Sequence, residues 1–250
     1  MSAHAGTKAV GDAKKLLLCW HVHCCLAGDR IVLLDTRRGR YCGVPATATA
    51  LSRFIEGWPE QSVDAVVCAL DHSRACLSVM LSTGMLTNDE KRGRPAFPCA
   101  LQLPTLRFYT PALDVDPWTS ASGLWHAALA CCLARKTLKN ESLWLVQERI
   151  TGLRARAARR EVVTHSRLDI ERCLEEWSFL RPLFISSRRK CLTESLSLLE
   201  FLFLRGIYDA RLVFGVTSSP FKAHCWLQSE LEVWNDSPEF VRRFTPVMAM

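Results

Sequence analysis

No stretch of this 250-residue chain offers the roughly 20 consecutive apolar residues of a bilayer-spanning helix; the leucine- and phenylalanine-rich stretch at residues 195–204 is broken by Glu200. The opening segment MSAHAGTKAVGDAKKLLLCW lacks the long apolar core and small-residue cleavage site of a secretory signal. Without that signal, the 12 cysteines read as reduced thiols in a cytoplasmic protein, not as a disulfide framework. Zinc sites of the common kind need paired CxxC spacings, and the cysteines are scattered instead, with neighbours at Cys24-Cys25 and Cys131-Cys132. There is no GxxxxGK[ST] phosphate loop, so no nucleotide is assigned to this chain.

The net charge of +7 is unevenly spread: residues 151–190 hold ten Lys/Arg against five Asp/Glu, residues 191–250 five against seven. That basic excess leads into SSRRKCLTESLSLLEFLFLRG, residues 186–206, where Cys191 follows Arg188, Arg189 and Lys190 and opens an apolar helix. Neighbouring cations and a helix N-terminus both favour a thiolate. The cationic segment itself reads as a solvated helix face or as a docking surface for an acidic partner.

The first ninety residues change period once. CWHVHCC (19–25), RIVLLDT (30–36) and GRYCGV (39–44) read as strands. A helical pattern follows through Val44, Ala48, Leu51, Phe54, Ile55 and Trp58, then helices starting near Ser62 and spanning 73–83, then a strand over 97–101. Together these describe a small winged-helix-like domain. His21, His23 and Cys25 share one face of the first strand, but three ligands on one strand rarely converge on a tetrahedral ion. The helix SRACLSVMLST offers Arg74 as its only long polar donor, with no Asn or Gln for base edges, which excludes nucleic acid as the expected partner. A free strand edge beside an apolar helix suits capture of an extended peptide instead.

The hairpin DRIVLLDTRRGRYCGVP with its following helices resembles the PqqD-like precursor-recognition fold over roughly residues 19–90. That resemblance implies a leader peptide added as a strand, with contacts from Gly39, Arg40, Tyr41, Cys42, Gly43 and Val44 and from Arg74, Leu77 and Leu81.

Residues 102–118 carry three prolines and no period, marking a linker. Helices are expected from Thr119 to Ala134, in NESLWLVQERITGLRARAARR, in SRLDIERCLEEWSFLRPL with Pro182 closing it, and after Cys191, where leucines and phenylalanines cover every side. Strands follow at 210–217, 222–230 and 231–236, bringing His224 and Asp236 onto neighbouring strands. A helix-borne Cys, a strand His and a carboxylate on the next strand give the order of a papain-like site. Glu232 and Asn235 compete with Asp236 for the third place, because a register shift exchanges them.

The wording RRKCLTESLSLLEFLFLRGIYDARLVFGV followed by PFKAHCWLQSE resembles the transglutaminase-like domain of lasso-peptide biosynthesis B proteins, over residues 118–250. Cys191 is then the nucleophile, His224 the base and Asp236 the orienting acid, while Cys225 stands where that family commonly has Ala and is expected to pack inward without chemistry. The expected fold class is α+β: a tail at 1–18, disordered, a winged-helix-like PqqD-type domain at 19–101, a linker at 102–117 and a transglutaminase/papain-like domain at 118–250. The resemblance implies a leader peptidase acting on a lasso precursor peptide, alongside an asparagine-synthetase-like cyclase that uses the pathway's ATP. Acyl transfer and non-catalytic leader binding are the alternatives; residues 1–100 alone are expected to bind leader without cutting it, and residues 102–250 alone to keep the triad but act poorly on the precursor because effective concentration is lost.

Overall fold

A computed structural model describes residues 15–45, 49–59, 70–108, 120–159, 165–186 and 191–250. Strands β1 (Leu17–Cys19), β2 (Val22–Ala27), β3 (Arg30–Asp35) and β4 (Arg40–Pro45) come first, the last three as an antiparallel meander in which Cys24 faces Leu33 and Leu33 faces Cys42. Side chains alternate across a strand, and here both faces are covered. Val22, Cys24, Ile31, Leu33 and Val44 meet Leu51, Ile55 and Met80 in an N-terminal core. Cys25, Ala27, Val32 and Leu34 point the other way, into the core built by the C-terminal helices and sheet. The unbroken apolar run of RIVLLD is thus the signature of a strand buried on two sides.

Several expected boundaries move. The strand read over 19–25 divides at a turn through Trp20 and His21, and β1 joins β5 (Leu86–Thr87) and β6 (Gly93–Arg94) in a separate three-stranded sheet. Of the helix read after Pro45, the described part is a 3-10 turn, Thr49–Arg53, and the helix read from Ser62 begins outside the described residues. Helix α1 (Leu70–Ser82) follows. No strand forms over 97–101, where Pro98 removes a ladder donor.

The C-terminal part stacks four helices on a five-stranded sheet. Helices α2 (Ala121–Asn140), α3 (Leu143–Ala158) and α4 (Arg167–Phe184) start at the capping serines Ser120, Ser142 and Ser166, the last in a capping box with Asp169. Pro182 lies inside the last turn of α4 instead of ending it, since a proline there costs one backbone bond without blocking the residues after it. Helix α5 (Cys191–Leu204) is buried from Ser195 to Phe203 against the small residues Ala127, Ala130, Cys131 and Ala134 of α2. Glu200, the charge interrupting α5, is buried because Arg149 of α3 pairs with it.

The sheet runs β11-β8-β9-β10-β7, with β7 (Leu106–Arg107), β8 (Arg211–Ser218), β9 (Phe221–Ser229), β10 (Glu232–Val233) and β11 (Thr245–Ala249). The segment read as a linker therefore contributes β7, parallel to β10, a two-residue strand too short to show a period. Strand β10 is likewise shorter than the expected 231–236, and helix α6 (Pro238–Val241) and β11 were not anticipated. Among the described residues no helix is long and apolar enough to cross a membrane.

Candidate active site

Because β10 pairs with β9 only at Gln228 and Ser229, the edge of β9 around residues 222–226 has no strand partner on that side among the described residues, and the start of α5 packs there. Cys191 and Ser195 lie one turn apart on the helix face that meets this edge. Ser195 Oγ donates to the Cys225 carbonyl at 3.2 Å, and Asn235 Nδ2 donates to Ser195 Oγ at 2.9 Å. Asn235 Oδ1 accepts the Leu227 amide at 2.8 Å, so this side chain braces helix to strand.

His224 projects from β9 with Nε2 2.7 Å from Asp236 Oδ2. Asp236 follows β10 and is fixed by its own neighbours: Oδ1 accepts the Ser237 amide at 2.8 Å, and its carbonyl accepts from Arg107 Nε of β7 at 3.1 Å. The imidazole stacks on Trp226 at 6.0 Å between centroids and is walled by Phe240 and Phe244 at 5.1 and 5.2 Å. Gly215 sits opposite His224 in the β8–β9 register, and a Cβ there would fall 2.7 Å from the Trp226 ring and 2.8 Å from Phe244. The glycine is what lets this aromatic floor form. Glu232 is instead paired with Arg167 at 2.9 Å, so neither competitor for the third place reaches the imidazole.

With Nε2 occupied by Asp236, Nδ1 is the ring nitrogen left for the Cys191 thiol, with which His224 is hydrogen-bonded. The Cys191 thiol is brought down to about 4: a hydrogen bond from the Cys225 thiol acts most strongly, burial opposes it, and His224 and the Cys225 backbone add to the lowering. Burial disfavours charge on His224, but its bonds to Asp236 and Cys191 outweigh it and raise the imidazole to about 9. Between those values the two groups form a thiolate–imidazolium pair. Arg188, Arg189 and Lys190 lie outside the described residues.

The expectation that Cys225 does no more than pack is corrected. Its side chain does join the main core on the strand face opposite His224, yet the open strand edge also brings its thiol against Cys191. Tyr41 is another residue whose surroundings the sequence did not reveal. From β4 its ring packs on Phe221 of β9 at 5.6 Å, and burial, together with the neighbouring Cys225 and Cys191, pushes the phenol up.

The remaining peptide-binding candidates lie on the N-terminal side. Gly39 makes the β3–β4 turn at φ 61°, Arg40 and Gly43 are exposed, and Cys42 and Val44 face the N-terminal core. Among the described residues the outer edge of β4 has no strand partner. On α1, Arg74 is exposed, Leu77 leans on that core and Leu81 is 44% exposed. His21, His23 and Cys25 part company: His21 lies near Asp35, His23 bonds Arg94 at 3.0 Å, and Cys25 is in the main core. Among the described residues no group of three His, Cys, Asp or Glu is placed to hold a metal.

Beside Asp236 a cavity of about 340 Å³ is lined by the core residues Trp177 and Trp234 together with Arg107, Arg181 and Glu194, the last two paired at 2.5 Å.

Residues 127–249 match the model of the Transglutaminase-like superfamily, a likeness that suggests cysteine-protease or acyl-transferase chemistry for this part of the chain. No curated protein and no solved structure matches the chain.

Proposed function

We propose that this chain is a cysteine peptidase that removes the leader from a lasso-peptide precursor, with Cys191, His224 and Asp236 as its catalytic residues. The observation that carries the reading is the 2.7 Å bond between His224 and Asp236 beside a thiol hydrogen-bonded to the same imidazole. The Cys191 thiolate attacks the carbonyl at the leader-core junction, and the oxyanion forms at the N-terminus of α5, where the helix dipole favours negative charge. His224 passes its proton to the departing core amine, leaving a thioester on Cys191. It then takes a proton from water as the thioester is hydrolysed. Asp236 holds the ring in place throughout.

The edge of β4 that has no strand partner among the described residues and the exposed side of α1 are the leader-binding surface in this reading, by strand addition in the manner of the PqqD-like fold. Support comes from Tyr41, since one strand carries both the free edge and a ring beside the reactive thiols. The protein acts in the cytoplasm without a bound cofactor, and the exposed core amine passes to an asparagine-synthetase-like cyclase that uses ATP. The superfamily match equally accommodates capture of the thioester by an amine in place of water. Mass analysis of a precursor peptide after incubation decides: separate leader and core support hydrolysis, an amidated or crosslinked product supports transfer, and unchanged peptide overturns both.

A further inference from the structure

Cys225 is a second buried thiol at the site, and in the hydrolytic chemistry it forms and breaks no bond of its own. It is 3% exposed, adjoins His224 on β9, and its thiol is in hydrogen-bond contact with the thiol of Cys191. The fold fixes that contact. Ser195, one turn beyond Cys191, donates to the Cys225 carbonyl at 3.2 Å, and Asn235 holds the Ser195 hydroxyl at 2.9 Å, so two successive turns of α5 grip a single residue of the strand. Both sulfurs are free thiols, and Cys191, unlike its neighbour, is partly open to solvent.

We propose that Cys191 and Cys225 are a peroxide-responsive pair, in which Cys225 resolves an oxidised Cys191 as an intramolecular disulfide and so keeps the nucleophile from irreversible oxidation. The oxidant is hydrogen peroxide and the reductant a small dithiol. The Cys191 thiolate attacks one peroxide oxygen, the O–O bond breaks, hydroxide leaves and is protonated to water, and Cys191 becomes a sulfenic acid. The Cys225 sulfur then attacks the Cys191 sulfur, forming S–S and breaking S–O. The thiol proton leaves with the departing hydroxide as a second water. Two thiols are oxidised and one peroxide is reduced to two waters.

The surroundings favour this order of events. Cys191 is the thiolate that peroxide can reach. Cys225 is held protonated first by its contact with that thiolate and then by burial, and the first influence disappears once Cys191 is a neutral sulfenic acid. Cys225 is therefore inert while Cys191 is reduced and becomes able to react once Cys191 has been oxidised. The inference needs only the thiolate and not the peptidase reading, so its test reads mass and thiol chemistry instead of cleavage.

The full chain, and the variants Cys225→Ala and Cys225→Ser, would be treated with a small excess of hydrogen peroxide, then mapped without reductant. In the unsubstituted chain the expected result is loss of two hydrogens, a crosslinked pair of peptides containing Cys191 and Cys225, and recovery of at least about nine-tenths of Cys191 alkylation after dithiothreitol. In the variants Cys191 gains two oxygens, and about a tenth or less of its alkylation returns. The proposal is overturned if the unsubstituted chain accumulates sulfinic Cys191 with Cys225 still free, if Cys191 bridges another cysteine, or if the variants recover as fully. Should both variants fail to fold, the peptide map of the unsubstituted chain decides alone.

Discussion

His224 Nε2 and Asp236 Oδ2 are 2.7 Å apart although they belong to different segments, because β10 ends at Val233 and lets the chain turn Asp236 under the imidazole while Arg107 holds its carbonyl. The carboxylate thus sets both the ring's orientation and its proton affinity.

Removing each partner has a different consequence. Cys191→Ala and His224→Ala are expected to abolish precursor cleavage, whereas Asp236→Ala leaves a residual rate lower by on the order of 10³- to 10⁴-fold. Glu232→Ala, which breaks only an exposed pair with Arg167, is expected to change the rate less than about twofold. Asn235→Ala leaves the Leu227 amide and the Ser195 hydroxyl without their partner, costing about 1–3 kcal/mol in urea unfolding. Single-turnover rates with matched circular dichroism check the set. Normal cleavage by Asp236→Ala would remove it from the triad.

The ion pair sets the pH window. The thiolate is lost as pH falls through about 4, and the imidazolium is lost as pH rises through about 9, so kcat/KM should be bell-shaped with limbs at those values. Asp236→Ala withdraws an influence that raises His224 and should move the alkaline limb down. Cys225→Ala withdraws the strongest influence lowering Cys191 and should move the acid limb up. An unmoved pair of limbs would contradict the assigned contacts.

Thiol reactivity follows from the same geometry. At a pH of about 6, iodoacetamide should label Cys191 first, because a thiolate reacts there and a protonated thiol does not. Cys132 is more exposed and Cys24 and Cys25 are pushed up to about 12 by burial, so exposure and reactivity part company. Peptide mapping at short times measures the order; Cys132 labelling ahead of Cys191 would refute a lowered thiol.

Legibility in the sequence followed the length of each signal. Helices α2 to α4 announce themselves by period, α5 by apolar residues on every side, and strands β8 and β9 by their length, each over eight or more residues. Strands β7 and β10 hold two residues each, and their pairing comes from tertiary contact, which no local pattern encodes. That is why Asp236 could not be separated from Glu232 and Asn235 by sequence, while Cys191 and His224 could be named. Tyr41 and the second role of Cys225 were hidden for a related reason: both depend on which strand edge is left open, a property of the assembled sheets.

The same assembly revises the expectation that the two halves act separately. Cys25, Ala27, Val32 and Leu34 of the N-terminal meander are buried in the core that holds α5 and β8, and Tyr41 reaches β9. A fragment of residues 102–250 would expose that apolar surface, so it is expected to aggregate or unfold without cooperativity instead of retaining slow activity. In the full chain, Leu34→Ala opens a cavity at the shared face and should cost about 2–5 kcal/mol in urea unfolding. Phe54→Ala, at a 38% exposed position of the N-terminal half, should cost less than half as much. A stable, cooperatively unfolding 102–250 fragment that cuts precursor at the full-chain rate would show that the meander contributes neither to this core nor to the site.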